Sequence, residues 1–305
     1  MTERTMPAVW RALPMMTLSA ERQIDERRPR PRLRPPSWTA LIGLAITAAL
    51  MLIALVGPMV FDTDPMRQNL LGRLAPPLGL GGSALHPLGT DALGRDILAR
   101  LLVGARVSLL IGIVATFAAG AIGVTLGLLA GAVGGLIDRL IAWVVDVQMA
   151  VPFVVVAIAL VAALGAGLAT LLLTLALTGW VGYARVVRLQ TRTARRAPWV
   201  EAARAVGVRP TRLLVRHILP SLSAPIVVLA GQQVAAMILY EAALSYLGLG
   251  LSGSIVTWGG MVADGRETLL TAWWVSTLPG IAIALTVLGL NLFGDWLAVR
   301  QQPGF

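Results

Sequence analysis

The chain has 305 residues, 57% hydrophobic and 13% charged, with 25 basic against 15 acidic side chains. A soluble domain of this length carries about 25% charged residues, so composition excludes an ordinary soluble enzyme and indicates an integral membrane protein. Every basic residue is arginine and cysteine is absent, which excludes a lysine-bearing phosphate loop, lysine Schiff-base chemistry, disulfides, thiolate nucleophiles and cysteine-held metals.

Residues 1–38 are rich in arginine and proline, as in RRPRPRLRPP (Arg27–Pro36), and are predicted to be a disordered tail. The apolar tract Thr39–Val60 follows and lacks an A-x-A cleavage site, so it reads as a retained span and not as a removed signal. Its length is near the roughly 20 residues that a helix needs to cross a bilayer. The segment 61–107 is rich in proline and glycine and reads largely as loop. From Asp96 the pattern becomes amphipathic: Ile97, Leu98, Leu101, Leu102 and Ala105 share a face, and Asp96 and Arg100 stand four apart in the favourable acid-first order. This predicts an interfacial helix leading into the second span.

The core, 108–300, holds five further apolar tracts: Leu109–Ala132, Leu140–Leu164, Leu168–Val187, Pro225–Leu244 and Leu278–Val299. Glycine and alanine are dense in them, and small residues let membrane helices approach closely. The turn at Gly165–Gly167 makes spans three and four an antiparallel pair. The fold class is therefore all-α integral membrane, with six transmembrane helices.

Arginine excess alternates between the connections. Residues 1–39 hold eight arginines against four acids, and 185–220 hold nine against one, whereas 61–106 hold five against four and 247–277 one against two. By the positive-inside rule, both termini (the last being 301–305) and the 186–221 loop lie in the cytoplasm, with 61–107 and 247–277 outside. Trp258, Trp273 and Trp274 cluster in that last segment. Tryptophans anchor at membrane interfaces; contact with an external partner is the other reading.

Inside the 186–221 loop, Pro198 suits the first turn of a helix and Gly207 the position just past its end; Pro210 starts a second helix and Pro220 limits it. A DNA-binding helix–turn–helix has this shape, but a loop of about 35 residues tethered at both ends to a bilayer leaves no free recognition helix for a major groove. A basic loop lying on anionic lipid is the plain alternative. Among the carboxylates, Asp146 falls inside span three, where a charge is costly and faces protein or water. One aspartate without an evident partner is a poor proton relay, so pathway lining or a helix contact is its expected role, shared with Gln148, Glu241 and Asn291. Glu241 and Asp295 fall near span ends, where solvation is cheaper. His86 and His217 are far apart and form no metal site.

These stretches resemble one family in order. Glu201-Ala202-Ala203, then Gly207 and Leu219-Pro220, match the EAA loop of binding-protein-dependent ABC importer permeases, and His217 stands where the peptide and nickel branch often has histidine. HPLGTDALGRDILARLLVGARVSL (His86–Leu110), WVGYARVVR (Trp180–Arg188), EAALSYLGLG (Glu241–Gly250), TWGGM (Thr257–Met261) and LPGIAIALTVLGLNLFGDWL (Leu278–Leu297) resemble that branch in the same order, over roughly residues 40–297. The tail AVRQQPGF departs from it, as do residues 1–37. The resemblance implies a type I importer permease fold and a C-type, non-catalytic permease subunit of a dipeptide, oligopeptide or nickel importer in a bacterial inner membrane. It implies no cofactor on this chain, with ATP and Mg held by partner ATPases. The implied partners are a second, B-type permease, two ATP-binding subunits, an extracytoplasmic substrate-binding protein and membrane lipid, with no nucleic acid. The residues it assigns to ATPase coupling are Glu201, Ala202, Ala203, Arg204, Gly207, Leu219 and Pro220. His86, Asp91, Arg95, Asp96 and Trp258 are the expected contacts of the binding protein. Peptide is the expected substrate; a nickel chelate and a self-sufficient secondary carrier are the alternatives.

Overall fold

In the computed structural model, residues 38–61, 64–251 and 255–301 are described; the predicted tails 1–37 and 302–305 lie outside them. Among the described residues the chain is helical, without a strand beyond one isolated bridge between Thr90 and Asp96. The helices are α1 (Trp38–Val60), α2 (Ile97–Val133), α3 (Gly135–Ala150), α4 (Phe153–Leu164), α5 (Leu168–Arg195), α6 (Pro198–Ala205), α7 (Ser223–Tyr246), α8 (Trp258–Asp264) and α9 (Trp274–Gln301). Five of them are long and apolar enough to cross a membrane, and α3 with α4, bent at the break between them, is so when the two are taken together, giving five to six candidate spans.

The predicted interfacial helix and second span are one continuous helix of 37 residues. Asp96 starts it by accepting from the Ala99 backbone N–H at 2.8 Å, an N-cap that satisfies one of the orphan donors of the first turn. That use corrects the expected Asp96–Arg100 pair: Asp96 holds Ala99 N–H and His86 Nδ1, while Arg100 turns to Asp91 and Asp264. Span three is likewise not one straight helix. Pro152 cannot donate to the i→i−4 ladder and biases Val151 to extended backbone (φ −94°, ψ 120°). The result is a bend of 92° between α3 and α4.

Glycine sets the closest packing. α2 and α5 run parallel, with Gly123 against Trp180 and Tyr183, Gly127 against Ala184 and Val187, and Gly131 against Arg188 and Thr191. A Cβ on Gly127 would lie 2.7 Å from the Ala184 carbonyl oxygen, so the approach needs glycine there. α7 packs on α2 and α9, and α1 lies antiparallel to α9, with Gly43 against Leu292 and Gly289 against Ile46 and Thr47.

The segments 64–96 and 255–273 gather at one end of the helices and form a cap; the Gly134 turn and residues 196–222 lie at the other. The cap has little regular structure, as its prolines and glycines predict, yet it has a core. Trp258 is 2% exposed and donates its indole N–H to the Leu101 carbonyl; Trp274 is buried and donates to the Thr90 carbonyl. Neither serves as an interfacial anchor; Trp273 alone of the three is exposed. A buried indole finds a hydrogen-bond partner, and here each one ties the cap to a helix.

Candidate functional site

At the end opposite the cap, residues 198–222 form a compact unit. Pro198 opens α6 at its first turn, and Val200, fully buried, drives that helix into a cluster with Val187, Leu213, Ile218 and Leu222. Ala203 packs at the edge of the same cluster, while Glu201, Ala202 and Arg204 are exposed. The helix ends in a Schellman turn: Gly207 N–H donates to the Arg204 carbonyl, Val208 N–H to the Ala203 carbonyl, and Gly207 has φ +80°. Trp199 and Val206 leave apolar surface beside the exposed Glu201 and Arg204.

The following helix begins at Pro210, passes through one π turn over Leu214–Ile218 and ends at Leu219–Ser221. Pro220 explains the widening, because its ring crowds the carbonyl four residues back; Leu219 N–H reaches to the Leu214 carbonyl instead. Such single π turns are frequent at functional sites. Leu219 is partly buried, and Pro220, His217 and the four arginines Arg204, Arg209, Arg212 and Arg216 are exposed.

One acid missed by spacing holds this end together. Asp138, buried at the start of α3, accepts from Arg188 Nε (2.5 Å) and Nη2 (3.1 Å), and also pairs with Arg192. Arg195 donates to the Gly131 carbonyl. The Gly134 turn is thus fastened to the last turns of α5. The partners lie 50 and more residues apart, and no local pattern in the sequence announces them.

The helix break between α3 and α4 is fixed from α5. Gln148 accepts from Trp180 Nε1–H at 2.8 Å and donates to the Leu177 carbonyl. Beside it lies a cavity of about 280 Å³ lined by Gln148, Met149, Phe153, Arg185, Gln233 and Tyr240 among others. Asp146 is exposed on α3 and Asn291 on α9, and neither makes a side-chain hydrogen bond among the described residues.

The cap carries the remaining residues. Asp91 accepts from Arg95 Nε at 2.6 Å and pairs with Arg100, and both arginines also donate to Asp264 Oδ2, at 3.1 and 2.9 Å. His86 Nδ1 lies 2.7 Å from Asp96 Oδ2. Asp91, Arg95, Asp96 and Trp258 are buried, which makes them the interior of the cap; among the five expected contacts, His86 is the one with partial exposure. Asp264, with 45% of its side chain exposed, has no counterpart in the sequence reading. Glu241 is 1% exposed and not cheaply solvated as its place near a span end suggested. Its Oε1 accepts from Ser245 and Thr257, each at 2.8 Å, and the Thr257 hydroxyl in turn accepts from Gly260 N–H. This carboxylate clamps the start of α8 onto α7.

Residues 123–305 match the family model of the binding-protein-dependent transport system inner membrane component. The chain is 40% identical over 265 residues to a di/tripeptide transport system permease protein, DppC, of Pseudomonas aeruginosa, covering 87% of this chain and 88% of that one. It is 37% identical over 264 residues to the oligopeptide transport system permease protein OppC of Bacillus subtilis, covering 87% and 85%. Among solved structures, an inward-facing conformation of the MetNI methionine ABC transporter superimposes with a TM-score of 0.55 at 19% identity, covering 67% of this chain and 96% of that one. That last likeness is one of fold.

Proposed function

Because this chain belongs to the family of binding-protein-dependent transport inner membrane components, we propose that it is the C-type permease subunit of an ATP-driven importer of di- or oligopeptides. A second permease completes the pathway, two ATPase subunits supply the energy, and an external binding protein delivers substrate. The relatives named above are permeases of peptide systems, which supports peptide over a nickel chelate. The arginine-rich 198–222 unit faces the cytoplasm and the cap faces outside, in keeping with the positive-inside rule.

The observation that carries this reading is α6 itself. It presents Glu201, Ala202 and Arg204 with apolar Trp199 and Val206 at one end of the bundle. It is rooted below by Val200 against α5 and by the helix that leads through the π turn into α7. A chain without lysine has no GxxxxGK[ST] loop of its own, so the nucleotide engine is another chain, and α6 is the element shaped to meet it. A force on α6 reaches α5 through the Val200 cluster and α7 through Leu219–Leu222.

Reconstitution tests it directly. In liposomes, peptide uptake is expected only when the second permease, both ATPases, binding protein and ATP are all present. Uptake by the purified chain alone under an ion gradient overturns the reading in favour of a secondary carrier.

A further inference from the structure

The cavity at the α3–α4 break is placed and lined in a way that the fold does not require. Gln148 bonds to Leu177, nine residues into α5, or about 14 Å from the N-terminus of that helix at 1.5 Å per residue. With a hydrocarbon core about 30 Å thick, the break lies near the middle of the membrane. The wall is part apolar and adaptable. Phe153 stacks on Tyr240, ring centroids 4.6 Å apart, and Met149 supplies a flexible thioether.

Three polar heads in the lining are not used to hold the structure together. Arg185 is exposed, and its hydrogen-bond acceptor among the described residues is the Met149 sulfur at 3.0 Å, a weak acceptor for a full positive charge. Gln233 and the Tyr240 hydroxyl make no hydrogen bond among the described residues. Gln148, by contrast, is fully engaged with Trp180 and Leu177. Arg185 lies eight residues past Leu177 on α5, about 12 Å nearer the cytoplasmic end, and a charge at that depth of a membrane segment faces protein or water and marks a substrate path or a partner. The broken helix adds to this, because the i→i+4 ladder of α3 stops at the break, with the Val151 N–H turning back to the Gln148 carbonyl, and discontinuous membrane helices occur at transport sites.

We propose that this cavity is a transit site for the peptide within the membrane, in which Arg185 takes the C-terminal carboxylate and Gln233 and the Tyr240 hydroxyl hydrogen-bond the peptide main chain. The inference rests on the peptide-import reading above. The chemistry selects a carboxylate joined to amide groups and leaves side chains to the adaptable Met149, Phe153 and Tyr240 wall, so it accepts peptides of varied sequence. A carboxylate could also come from the second permease, in which case Arg185 is an assembly contact; the experiment separates the two.

The chain has no cysteine, so Met149→Cys gives one thiol in the cavity, and Gln233→Cys a second position should the first impair folding. The full complex is assembled in proteoliposomes with binding protein, and thiol modification of this chain is timed with and without trialanine during ATP turnover. Trialanine at about ten times its Kd is expected to slow modification roughly tenfold, the protection that such occupancy gives. Arg185→Gln should abolish that protection and lower trialanine uptake, Arg185→Lys should keep part of both, and permease pairing should not change. Equal modification rates with and without trialanine, at both cysteines, overturn the site. Loss of permease pairing in Arg185→Gln also overturns it, assigning the arginine to the partner's carboxylate. No trialanine uptake by the unsubstituted complex defeats the peptide reading itself, a result distinct from uptake without protection.

Discussion

Trp180 donates its indole N–H to the side-chain oxygen of Gln148 across 2.8 Å, and this bond links α5 to the last turn of α3 just before the chain bends. The same Gln148 amide donates to the Leu177 carbonyl, so one side chain fixes the break at two points on α5. Gln148→Leu is expected to leave a buried indole donor unpaired, at a cost of about 1–3 kcal/mol. A lowered thermal midpoint of the purified protein in detergent checks this. An unchanged midpoint would mean that the bend is held by Pro152 alone.

Gly207 offers a cleaner test of the coupling unit. A Cβ there meets nothing within 4 Å, so the penalty for substitution comes from φ +80° and not from crowding. Gly207→Val should cost on the order of 1–2 kcal/mol in the turn and uncouple ATP hydrolysis from transport, with normal membrane abundance. Gly207→Asn, which tolerates the left-handed region, should retain transport. Full transport by the valine variant would show that 198–222 is only a basic surface connector.

The cap is expected to depend on paired charges. Arg100 is buried between Asp91 and Asp264, and Asp91→Ala strands it beside a half-exposed partner. Breaking a buried pair costs about 3–5 kcal/mol. Asp264→Ala, removing the solvated member, should cost less. Protease resistance of the cap in membranes ranks the two variants, and the reverse ranking would refute the assignment of Asp91 as the central acid.

The glycines of α2 should divide sharply from others. Gly127→Leu pushes a side chain into Ala184 and Val187 and is expected to separate α2 from α5, losing at least the roughly 1–3 kcal/mol of an overpacked core. Gly231→Ala, in α7 with nothing within 4 Å of the new Cβ, should be neutral or stabilising by about 1 kcal/mol through helix propensity. Paired melting curves decide it; equal effects would deny the close contact.

Orientation follows from the alternation of arginine. Reporter fusions after Ser83 should read outside and one after Arg195 cytoplasmic. An external reading at Arg195 reverses the proposed topology.

The membrane helices were legible because hydropathy is a one-dimensional signal: the predicted first span, Thr39–Val60, differs by one residue from α1. The loop 198–222 was legible too, since Pro198, Gly207, Pro210 and Pro220 each act through their own backbone. The break at Pro152 was visible as a residue but masked by the apolar run on both sides of it. What remained hidden were partnerships between distant residues: Asp138 with Arg188 and Arg192, Arg100 with Asp264, Gln148 with Trp180. Trp258 and Trp274 read as interfacial because their segment is a connection, and the structure buries them because that connection has enough apolar residues for a core of its own.

The cap also fixes an order of manufacture. Thr90 waits for Trp274, 184 residues later in the chain, and Arg100 waits for Asp264, 164 residues later. Long-range contacts such as these form only after the intervening chain has been closed into a loop. During N-to-C synthesis the segment 64–96 therefore emerges well before it has a structure to join. Asp91 has Arg95 and Arg100 at hand from the start, but both arginines lack their second acceptor until Asp264 arrives and Thr90 lacks its indole donor until Trp274 does, so closure of the cap marks a chain that has reached the start of its last span.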